Sequence, residues 1–397
     1  MQSFKDLGLS TEVLTIIDHL GFTEPTQIQE LSIPLITQGK DVIGESATGS
    51  GKTLAFGCGI IERVTPGIGI QAIILTPTRE LAQQVKDELQ KLSQEKKLII
   101  TTIYGGVSIN PQINELRRSD VVVATPGRFL DHLQRRTINL EKVKIVVLDE
   151  ADRMFDMGFT DDVERIIGAC PNERQTLFFS ATISTRVKNL AQKYMHDHSE
   201  VSAKNTVDPS KMTQVYYNVE KNNKLSLLIH LLRNEKSGLA MVFCNSRNTV
   251  NFVVRNLQAN QLNAITIHGG LSQNKRSKML KLFNDGSAGI LVCTDVAARG
   301  LHIANVSHVY NYEIPKDAKD YVHRIGRTAR AGKDGKAINL LCQYDHPNFS
   351  RVLHEYRLFK IEKVETPHCE QVRVTRVQPM RQQFQRRHFG NRHRRRR

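Results

Sequence analysis

The segment Gly49–Thr53 has the residue types that a phosphate-binding loop requires. Glycines let the backbone N–H groups of such a loop approach phosphates at the start of a helix, where the helix dipole also favours negative charge. Lys52 would then reach the terminal phosphates, and the hydroxyl of Thr53 would bind magnesium. The general pattern G-x-x-x-x-G-K-[ST] has glycine where this chain has Ser46, so an ordinary glycine-rich turn before a helix is the alternative.

An acidic cluster follows the apolar run Val143–Leu148 and is the second candidate for chemistry. Carboxylates at the end of a buried strand can hold a metal and orient water. We therefore expect Asp149 to hold the metal through water and Glu150 to be the base for the attacking water. The alternative is a solvated helix start, which the preceding apolar strand disfavours. Both segments together predict one phosphate-and-magnesium site.

Residues elsewhere in the chain could act on this site. Arg327 and Arg330 are one helical turn apart, so both could face a cleft and stabilise charge on a transferred phosphoryl group. A basic helix face in solvent is the alternative. Asp152 could hydrogen-bond Ser180 or Thr182 and thereby couple the site to another part of the protein.

Short β-branched runs, each followed by a helix-like stretch, must position these residues. The runs are continuous rather than alternating, which is typical of parallel strands that helices bury on both faces. In the first half of the chain the predicted strands are Ala72–Thr76, Leu98–Tyr104, Asp120–Ala124, Val143–Leu148 and Thr176–Phe179. In the second half they are Thr213–Val219, Leu239–Cys244, Ala264–His268, Gly289–Cys293, His308–Tyr312 and Ala337–Cys342. The predicted fold class is α/β.

A polar stretch over residues 202–211, which contains Asp208–Pro209, separates the two series of strands. We predict a first domain over residues 1–203, a linker over 204–212, a second domain over 213–366 and a tail over 367–397. Ligands of open parallel sheets bind beyond the carboxyl ends of the strands. The phosphate loop, the acidic cluster and Thr294 all follow strands, so we expect a ligand cleft between the domains.

The charge of the chain is concentrated at its C-terminal end. Residues 371–397 contain ten arginines and no acid, and without them the formal net charge of +16 falls to +6. Such a density of arginine favours binding to nucleic acid over acidic lipid or a merely solvated end. The six cysteines are scattered and form no C-x-x-C pair, and no signal peptide or long apolar span is present. We therefore expect a soluble protein of a reducing compartment, the cytoplasm, with no membrane contact.

Further motifs are similar to one family in their order and spacing. Gly21–Gln29 looks like a Q motif, Pro77–Ala82 and Thr125–Arg128 look like RNA-backbone motifs, and His323–Arg330 matches a late motif of the second domain. With Asp149–Asp152 they resemble the DEAD-box RNA helicases of helicase superfamily 2, over about residues 1–365. The resemblance implies two tandem RecA-like domains, each a mainly parallel sheet covered by helices, and we expect a disordered basic C-terminal tail.

The resemblance also implies roles for individual residues. ATP and Mg²⁺ would be the cofactors, and Asp152, Ser180 and Thr182 would couple hydrolysis to unwinding. The residues implied in catalysis are Lys52, Asp149, Glu150, Arg327 and Arg330. Those implied in nucleotide binding are Phe4, Thr23, Gln29, Ser46, Ala47, Thr48, Gly49, Ser50, Gly51, Lys52, Thr53, Gly300 and His302. Those implied in RNA binding are Pro77, Thr78, Arg79, Gly105, Gly106, Thr125, Pro126, Gly127, Arg128, Gln273, Arg276 and Thr294.

Two positions depart from the family pattern. Ser46 and Ala47 replace the usual Ala-Gln before Thr48, in a loop that acts through its backbone. His302 replaces an aspartate associated with the ribose, so nucleotide affinity or its pH dependence is expected to differ.

The expected function is an ATP-dependent RNA helicase that separates duplexes locally or remodels RNA–protein complexes, with contacts to the RNA backbone that are largely independent of sequence. An ATP-gated RNA clamp or assembly scaffold is the alternative. A DNA translocase is disfavoured by the Q motif and the D-E-A-D spelling.

Overall fold

In the computed structural model of the protein, the described residues are 3–47, 49–203, 212–235, 237–298, 303, 306–329, 334–372 and 374–375. They form two seven-stranded sheets in which every strand pairing is parallel. The predicted α/β class and the two parallel sheets covered by helices are confirmed. None of the described helices combines the length and the apolar composition that a bilayer span requires.

The first sheet has the strand order β3-β4-β2-β5-β6-β1-β7. Its strands are β1 Val42–Glu45, β2 Ala72–Leu75, β3 Ile100–Ile103, β4 Val121–Ala124, β5 Ile145–Asp149, β6 Gln175–Ser180 and β7 Ser199–Ser202. A 3-10 helix, Phe4–Leu7, precedes the helices α1 Thr11–His19, α2 Gln27–Thr37, α3 Lys52–Arg63, α4 Arg79–Leu92, α5 Ile109–Leu116, α6 Pro126–Gln134, α7 Ala151–Asp156, α8 Thr160–Gly168 and α9 Thr185–Tyr194.

The second sheet has the strand order β10-β11-β9-β12-β13-β8-β14. Its strands are β8 Met212–Asn218, β9 Leu239–Phe243, β10 Ala264–Ile267, β11 Ile290–Cys293, β12 Val306–Asn311, β13 Gly335–Leu341 and β14 Ile361–Lys363. A 3-10 turn, Lys221–Asn223, precedes the helices α10 Lys224–Asn234, α11 Arg247–Ala259, α12 Gln273–Asn284, α13 Asp295–Ala298, α14 Ala318–Ile325 and α15 His346–Glu355.

Burial on both faces explains why the strands read as continuous apolar runs. In β5, Ile145 and Val147 pack into one core cluster while Val146 and Leu148 pack into the other, and all four side chains are fully buried. The same alternation holds along β2 and β4. Buried area of this kind contributes roughly 25 cal/mol per Å² of apolar surface, so the cores hold the strand ends, and hence the site, in place.

Three strands were absent from the predicted set: β1, β7 and β14. Strand β1 contains Gly44, where the absence of a side chain leaves space for the Phe179 ring. Strand β7 has the sequence S-E-V-S, and β14 has only three residues. None of them shows a clear apolar pattern. Met212, which the predicted linker includes, is the first residue of β8. The linker residues 204–211 and the tail from residue 376 lie outside the described part of the chain, so the domain boundaries and the disorder of the tail remain predictions.

Candidate active site

The candidate residues of the first domain lie at one edge of its sheet, beyond the carboxyl ends of the strands. The strand order divides them into two groups. The loops after β1, β5 and β6 carry the phosphate loop, the acidic cluster and Ser180–Thr182, whereas the loops after β2, β3 and β4 carry the residues expected on RNA. The topology therefore separates the residues expected on the nucleotide from those expected on RNA.

The phosphate loop is held by the helix α2 that precedes β1. Gln29 Nε2 donates to the carbonyl of Gly51 at 3.0 Å, Gln29 Oε1 accepts from Thr26 N at 2.9 Å, and the Thr26 hydroxyl donates to the carbonyl of Ser50 at 2.7 Å. Gly51 has φ +90°, and a Cβ at this position would overlap the Gln29 amide. Glycine is therefore required there by both conformation and space.

Lys52 is the first residue of α3 and is buried. Its ammonium donates to the carbonyls of Ser46 and Ala47, both at 2.9 Å. Burial lowers the pKa of Lys52, and the carboxylates of Asp149 and Glu150 oppose that shift. The charge of Lys52 is thus concentrated at the mouth of the loop, where the phosphates of a nucleotide would lie.

Asp149 is the last residue of β5 and is 3 % exposed. Burial raises the pKa of its carboxyl group to about 7, against the opposing effect of Lys52. Among the described atoms, Asp149 Oδ1 has no hydrogen-bond partner. A buried oxygen without a partner costs free energy, and a divalent cation with its water shell would supply the missing interaction. The half-buried hydroxyl residue Thr53, next to Lys52, is a suitable second ligand.

Glu150 follows β5 with φ +56° and ψ +50°, a left-handed conformation that is unfavourable for a residue with a Cβ. Its carboxylate accepts from Arg153 Nη1 at 2.8 Å, and both side chains are buried. Burial alone would raise the pKa of Glu150, but the charges of Arg153, Lys52 and Arg327 outweigh burial and lower the pKa. The group therefore remains a carboxylate. Sequence reasoning missed Arg153.

Arg327 comes from the second domain and is 3 % exposed. Its positive charge contributes to the lowered pKa of Glu150 in the first domain. Strained backbone at Glu150 and a converging arginine are both typical of functional sites.

The hydrogen bonds expected for Asp152 are present. Asp152 N donates to Ser180 Oγ at 3.2 Å, while Asp152 Oδ2 accepts from the backbone N and the hydroxyl of Thr182 at 3.2 and 3.0 Å. The end of β6 is thereby joined to the start of α7. The coupling role of these three residues remains a prediction.

A cavity of about 410 Å³ opens beside the phosphate loop and is lined by Gln29, Gly51, Lys52, Asp149 and Glu150, together with side chains of α4. Phe22 also lines the cavity and is 45 % exposed. Phe4, which the resemblance implies on the adenine, is 5 % exposed and packs in the hydrophobic core instead of lining the cavity. Thr23 is exposed and does not line it either.

Two first-domain arginines that are expected on RNA both lie against the loop after β3. Arg79 begins α4, and its guanidinium lies against Gly106, where a Cβ would overlap it. Arg128, in α6, donates to the carbonyl of Val107 at 2.9 Å, and its Nη1 is buried without a hydrogen-bond partner in the described structure. Thr78 caps α4 by accepting from Leu81 N at 3.3 Å.

The other first-domain residues that are expected on RNA are Pro77 directly before that cap, Gly105 beside Gly106, Thr125 at the N-cap of α6, and Pro126 and Gly127 in its first turn.

Two of the second-domain residues that are expected on RNA contact the first domain. Gln273 Nε2 donates to Glu80 Oε1 at 3.0 Å, and Arg276 Nη2 lies 3.0 Å from the same carboxylate oxygen. Thr294 follows β11 and is 9 % exposed. Sequence reasoning missed Glu80, which stands inside the matched motif Pro77–Ala82.

Arg324 is a third residue that sequence reasoning missed. It is 1 % exposed, and its guanidinium donates to both oxygens of Asp295 at 2.5 and 2.7 Å and to Asn245 Oδ1 at 2.8 Å. Arg324 of α14 thus joins the loop after β9 to the loop after β11. It lies three residues before Arg327 in the sequence. The other candidates, Thr48, Gly300, His302 and Arg330, lie outside the described residues.

Comparison with known proteins agrees with this geometry. A family model described as DEAD/DEAH box helicase matches residues 26–190, and one described as helicase conserved C-terminal domain matches residues 223–332. The chain is 43 % identical over 369 residues to the DEAD-box ATP-dependent RNA helicase CshA of Bacillus subtilis, covering 92 % of this chain and 74 % of the relative. It is 46 % identical over 345 residues to CshA of Geobacillus kaustophilus, covering 86 % and 74 %.

Solved structures cover similar shares of the chain. The structure of S. cerevisiae Dbp5 bound to RNA and ADP BeF3 is 32 % identical with a TM-score of 0.84, covering 92 % of this chain and 96 % of that one. The DEAD box protein from Methanococcus jannaschii is 42 % identical with a TM-score of 0.56, covering 92 % and 99 %. From these matches over both domains, the chain belongs to the DEAD-box ATP-dependent RNA helicases.

Proposed function

We propose that the chain hydrolyses ATP when RNA closes the two domains, and that closure separates short RNA duplexes or remodels RNA–protein complexes. The observation that carries this proposal is the pair of contacts that Gln273 and Arg276 of the second domain make with Glu80 of the first. The charge of Arg327, which lowers the pKa of Glu150 across the domain boundary, also supports it. The match to Dbp5 bound to RNA and ADP BeF3 also supports RNA and a nucleotide as joint ligands.

In the proposed reaction, Gly49–Thr53 bind the phosphates of ATP and Lys52 turns from the Ser46 and Ala47 carbonyls to the terminal phosphates. Glu150 accepts a proton from the attacking water, for which it must be ionised, and its lowered pKa supports that assignment. Arg153 holds the Glu150 side chain in position. Arg327 stabilises the charge that develops on the transferred phosphoryl group.

We further propose that Mg²⁺ binds through Thr53 and Asp149. The unpartnered Asp149 Oδ1 supports this assignment. No group of three or more acidic, histidine or cysteine side chains that could hold a metal is present among the described residues. A cation that keeps several waters and takes further oxygens from the substrate phosphates needs no such group. When bound, the ion would neutralise phosphate charge and orient the substrate.

RNA is proposed to cross both domains along the loops that carry Arg79, Arg128 and Arg276. Arginine contacts to the backbone give affinity with little sequence preference. Because Gln273 and Arg276 also contact Glu80 across the domain boundary, RNA that orders these side chains would favour the closed form. Closure then brings Arg327 to the ATP, so RNA binding and hydrolysis are linked.

The test is ATP turnover with and without single-stranded RNA, combined with strand separation on a short duplex. RNA-stimulated turnover with strand separation is expected. Equal turnover with and without RNA would contradict the closure mechanism, and stimulated turnover with long RNA residence and no separation would favour a clamp. We also propose a cytoplasmic location, supported by six free cysteines, five of them buried.

A further inference from the structure

Among the described strands, β3 is the first in the order of its sheet and pairs only with β4. A cavity of about 680 Å³ lies beside the start of β3. It is lined by Ile99, Ile100 and Thr101 of this strand and its approach, by Lys86 of α4, and by Asn114, Glu115, Arg117 and Arg118 at the end of α5. None of these residues lines the ATP cavity.

The cavity lies at the open edge of the sheet and not on one of its faces. Helices α4 and α5 cover opposite faces, because Leu89 of α4 belongs to one core cluster and Leu116 of α5 belongs to the other. Neighbouring strands are only about 4.8 Å apart, so no cavity passes between them through the sheet. A cavity that contacts β3 and both helices must therefore extend around the edge of β3, as a groove between the two helices.

Backbone groups of β3 face this groove. The carbonyls of Ile99 and Ile103 accept hydrogen bonds from the residues that directly precede and follow β4, at 2.9 and 3.0 Å. Since alternate residues of a strand direct their backbone groups to the same side, Thr101 also faces β4, whereas Ile100 and Thr102 face the open edge. The N–H and C=O groups of these two residues form the row with which a further strand can pair.

The walls of the groove are basic. Lys86 is half-buried, and Arg117 and Arg118 are exposed, while Glu115 is the only acid in the lining. An extended peptide directs successive side chains to opposite faces, so one set would meet Lys86 and the other set would meet the two arginines. Ile99, which is 45 % exposed, adds an apolar contact at the entrance of the groove. Geometry and charge together fit a peptide that carries acidic side chains.

Other occupants fit the groove less well. The β3 edge of a second copy would bring the same three cations, and like charges would repel. The chain's own residues 371–397 contain ten arginines and no acid, so the same repulsion applies to them. RNA phosphates match the charge but carry no donor for the carbonyls of the edge. The residues expected on RNA also follow the carboxyl ends of β2, β3 and β4, whereas the cavity lies at the amino end of β3.

We propose that the open edge of β3 binds an extended acidic segment of a partner protein, which adds a further strand to the first sheet. Main-chain hydrogen bonds to Ile100 and Thr102 provide affinity. Contacts of the partner's carboxylates with Lys86, Arg117 and Arg118 provide selectivity, because the same cations repel a basic strand.

The test uses a fluorescein-labelled peptide of alternating glutamate and valine, about six residues long, which is the usual length of a strand. Its binding to the full chain is followed by fluorescence anisotropy. The same peptide with lysine in place of glutamate is the control for charge. A version with proline near the centre, which lacks one N–H group, is the control for strand pairing. Only the glutamate peptide without proline should bind strongly.

Charge reversal of the groove provides the matched pair of variants. Arg117→Glu combined with Arg118→Glu should weaken binding of the glutamate peptide by about tenfold, since two attractive contacts become repulsive. Arg165→Glu combined with Arg186→Glu changes the net charge equally at two exposed positions outside the cavity. That control should lose less than about twofold, because salt screens distant charges. Both proteins should unfold at the temperature of the wild type, since all four arginines are exposed.

Hydrogen exchange distinguishes strand pairing from a purely electrostatic contact. With the peptide at about ten times its dissociation constant, exchange of the Ile100 and Thr102 amides should slow by about tenfold. The amides of Thr101 and Ile103, which face β4, should change little. Binding without slower exchange at Ile100 and Thr102 would overturn the proposal.

Three further results would also overturn it. The first is the absence of saturable binding of the glutamate peptide, and the second is an equal affinity for the lysine or proline version. The third is a loss of RNA affinity in the variant with Arg117→Glu and Arg118→Glu, which would assign these cations to RNA. Unchanged RNA affinity of this variant is expected, because the groove lies away from the loops that carry the residues expected on RNA.

Discussion

Lys52 and Lys224 begin corresponding helices of the two domains, but their ammonium groups have different partners. The first donates to the carbonyls of Ser46 and Ala47, which phosphate oxygens can replace. The second forms a buried ion pair with Asp345, which is part of the same chain and does not leave. A lysine at the start of a RecA-like helix therefore does not define an ATP site. The loop before the helix and the charge opposite the lysine decide what the cavity can bind.

The largest expected effect on ATP turnover is that of substituting Arg327, which the second domain would supply to the ATP site of the first. Arg327→Ala should lower RNA-stimulated turnover by a factor on the order of 10³, the usual scale for an arginine finger. ATP binding without RNA should change little, because Arg327 reaches the site only on closure. Steady-state turnover and ATP affinity of the variant, measured with and without RNA, check this. A loss of ATP affinity without RNA would instead place Arg327 at the site of the open form.

Glu150 and Glu313 provide the next test because they occupy corresponding positions: each lies two residues after the strand residue that pairs with the end of its neighbour, Leu148 with β2 and Asn311 with β9. Glu150→Gln should keep ATP and RNA bound while hydrolysis falls by roughly a hundredfold or more, because a positioned base is lost. Glu313→Gln should change hydrolysis by no more than a few-fold, since its carboxylate holds Asn245 and Thr249 and contacts no ATP. Single-turnover hydrolysis of both variants makes the comparison, and near-normal turnover of Glu150→Gln would exclude it as the base.

Substitution of Lys52 should affect ATP binding, whereas substitution of Lys224 should affect the stability of the fold. Lys52→Ala should weaken ATP binding by about ten- to a hundredfold, the scale of hydrogen bonds to a charged group. Lys224→Ala leaves Asp345 buried without its partner and should cost about 3–5 kcal/mol in the free energy of unfolding, with ATP affinity retained. Denaturant unfolding and ATP titration of both variants separate the outcomes. Weak ATP binding by a folded Lys224→Ala protein would refute the comparison.

Asp149 follows Leu148 as Tyr312 follows Asn311, so the corresponding position of the second domain holds no acid. The titration of Asp149 is therefore a property of the first domain that pH can test. Its pKa of about 7 means that the carboxyl group is protonated below neutrality in the free protein. Since a metal binds the carboxylate and not the acid, Mg²⁺-dependent ATP affinity should fall by up to about tenfold per unit as pH decreases below 7. ATP titrations from pH 6 to 8, with and without Mg²⁺, measure this, and the same titrations of His302→Asp separate any contribution of that side chain.

The smallest effect on turnover is expected from the arginine segment. Truncation after Thr375 removes nine arginines but retains the hydrogen bonds to Asn256. For every phosphate that is no longer neutralised by an arginine, the slope of log affinity against log salt should flatten by about 0.7 for single strands, while turnover at saturating RNA stays near wild type. RNA titrations of the truncated and full chains over a range of salt concentrations measure both slopes. An unchanged salt slope would mean that this segment does not bind RNA.

Much of this architecture was predictable because it depends on patterns within short segments of the sequence. The continuous apolar runs predicted parallel strands, and Asp152 with Ser180 and Thr182 was expected to form the hydrogen bonds that are present. The contacts of Glu80 were not predictable. Glu80 and Gln273 are 193 residues apart, and nothing in either helix indicates that their side chains meet. The burial of Phe4 is a similar case, because a single aromatic residue is equally compatible with a core and with a ligand site.

The position of β1 in the first sheet has a consequence for biosynthesis. This strand lies between β6 and β7, and its residue Glu45 pairs with Ser202, 157 residues later in the chain. At about 5–20 residues per second, a ribosome needs on the order of 10–30 s to produce the missing partners. During that time the strand that leads into the phosphate loop has both edges unpaired. The ATP site should therefore be among the last parts of the domain to form, and a nascent chain interrupted before β6 should not retain nucleotide.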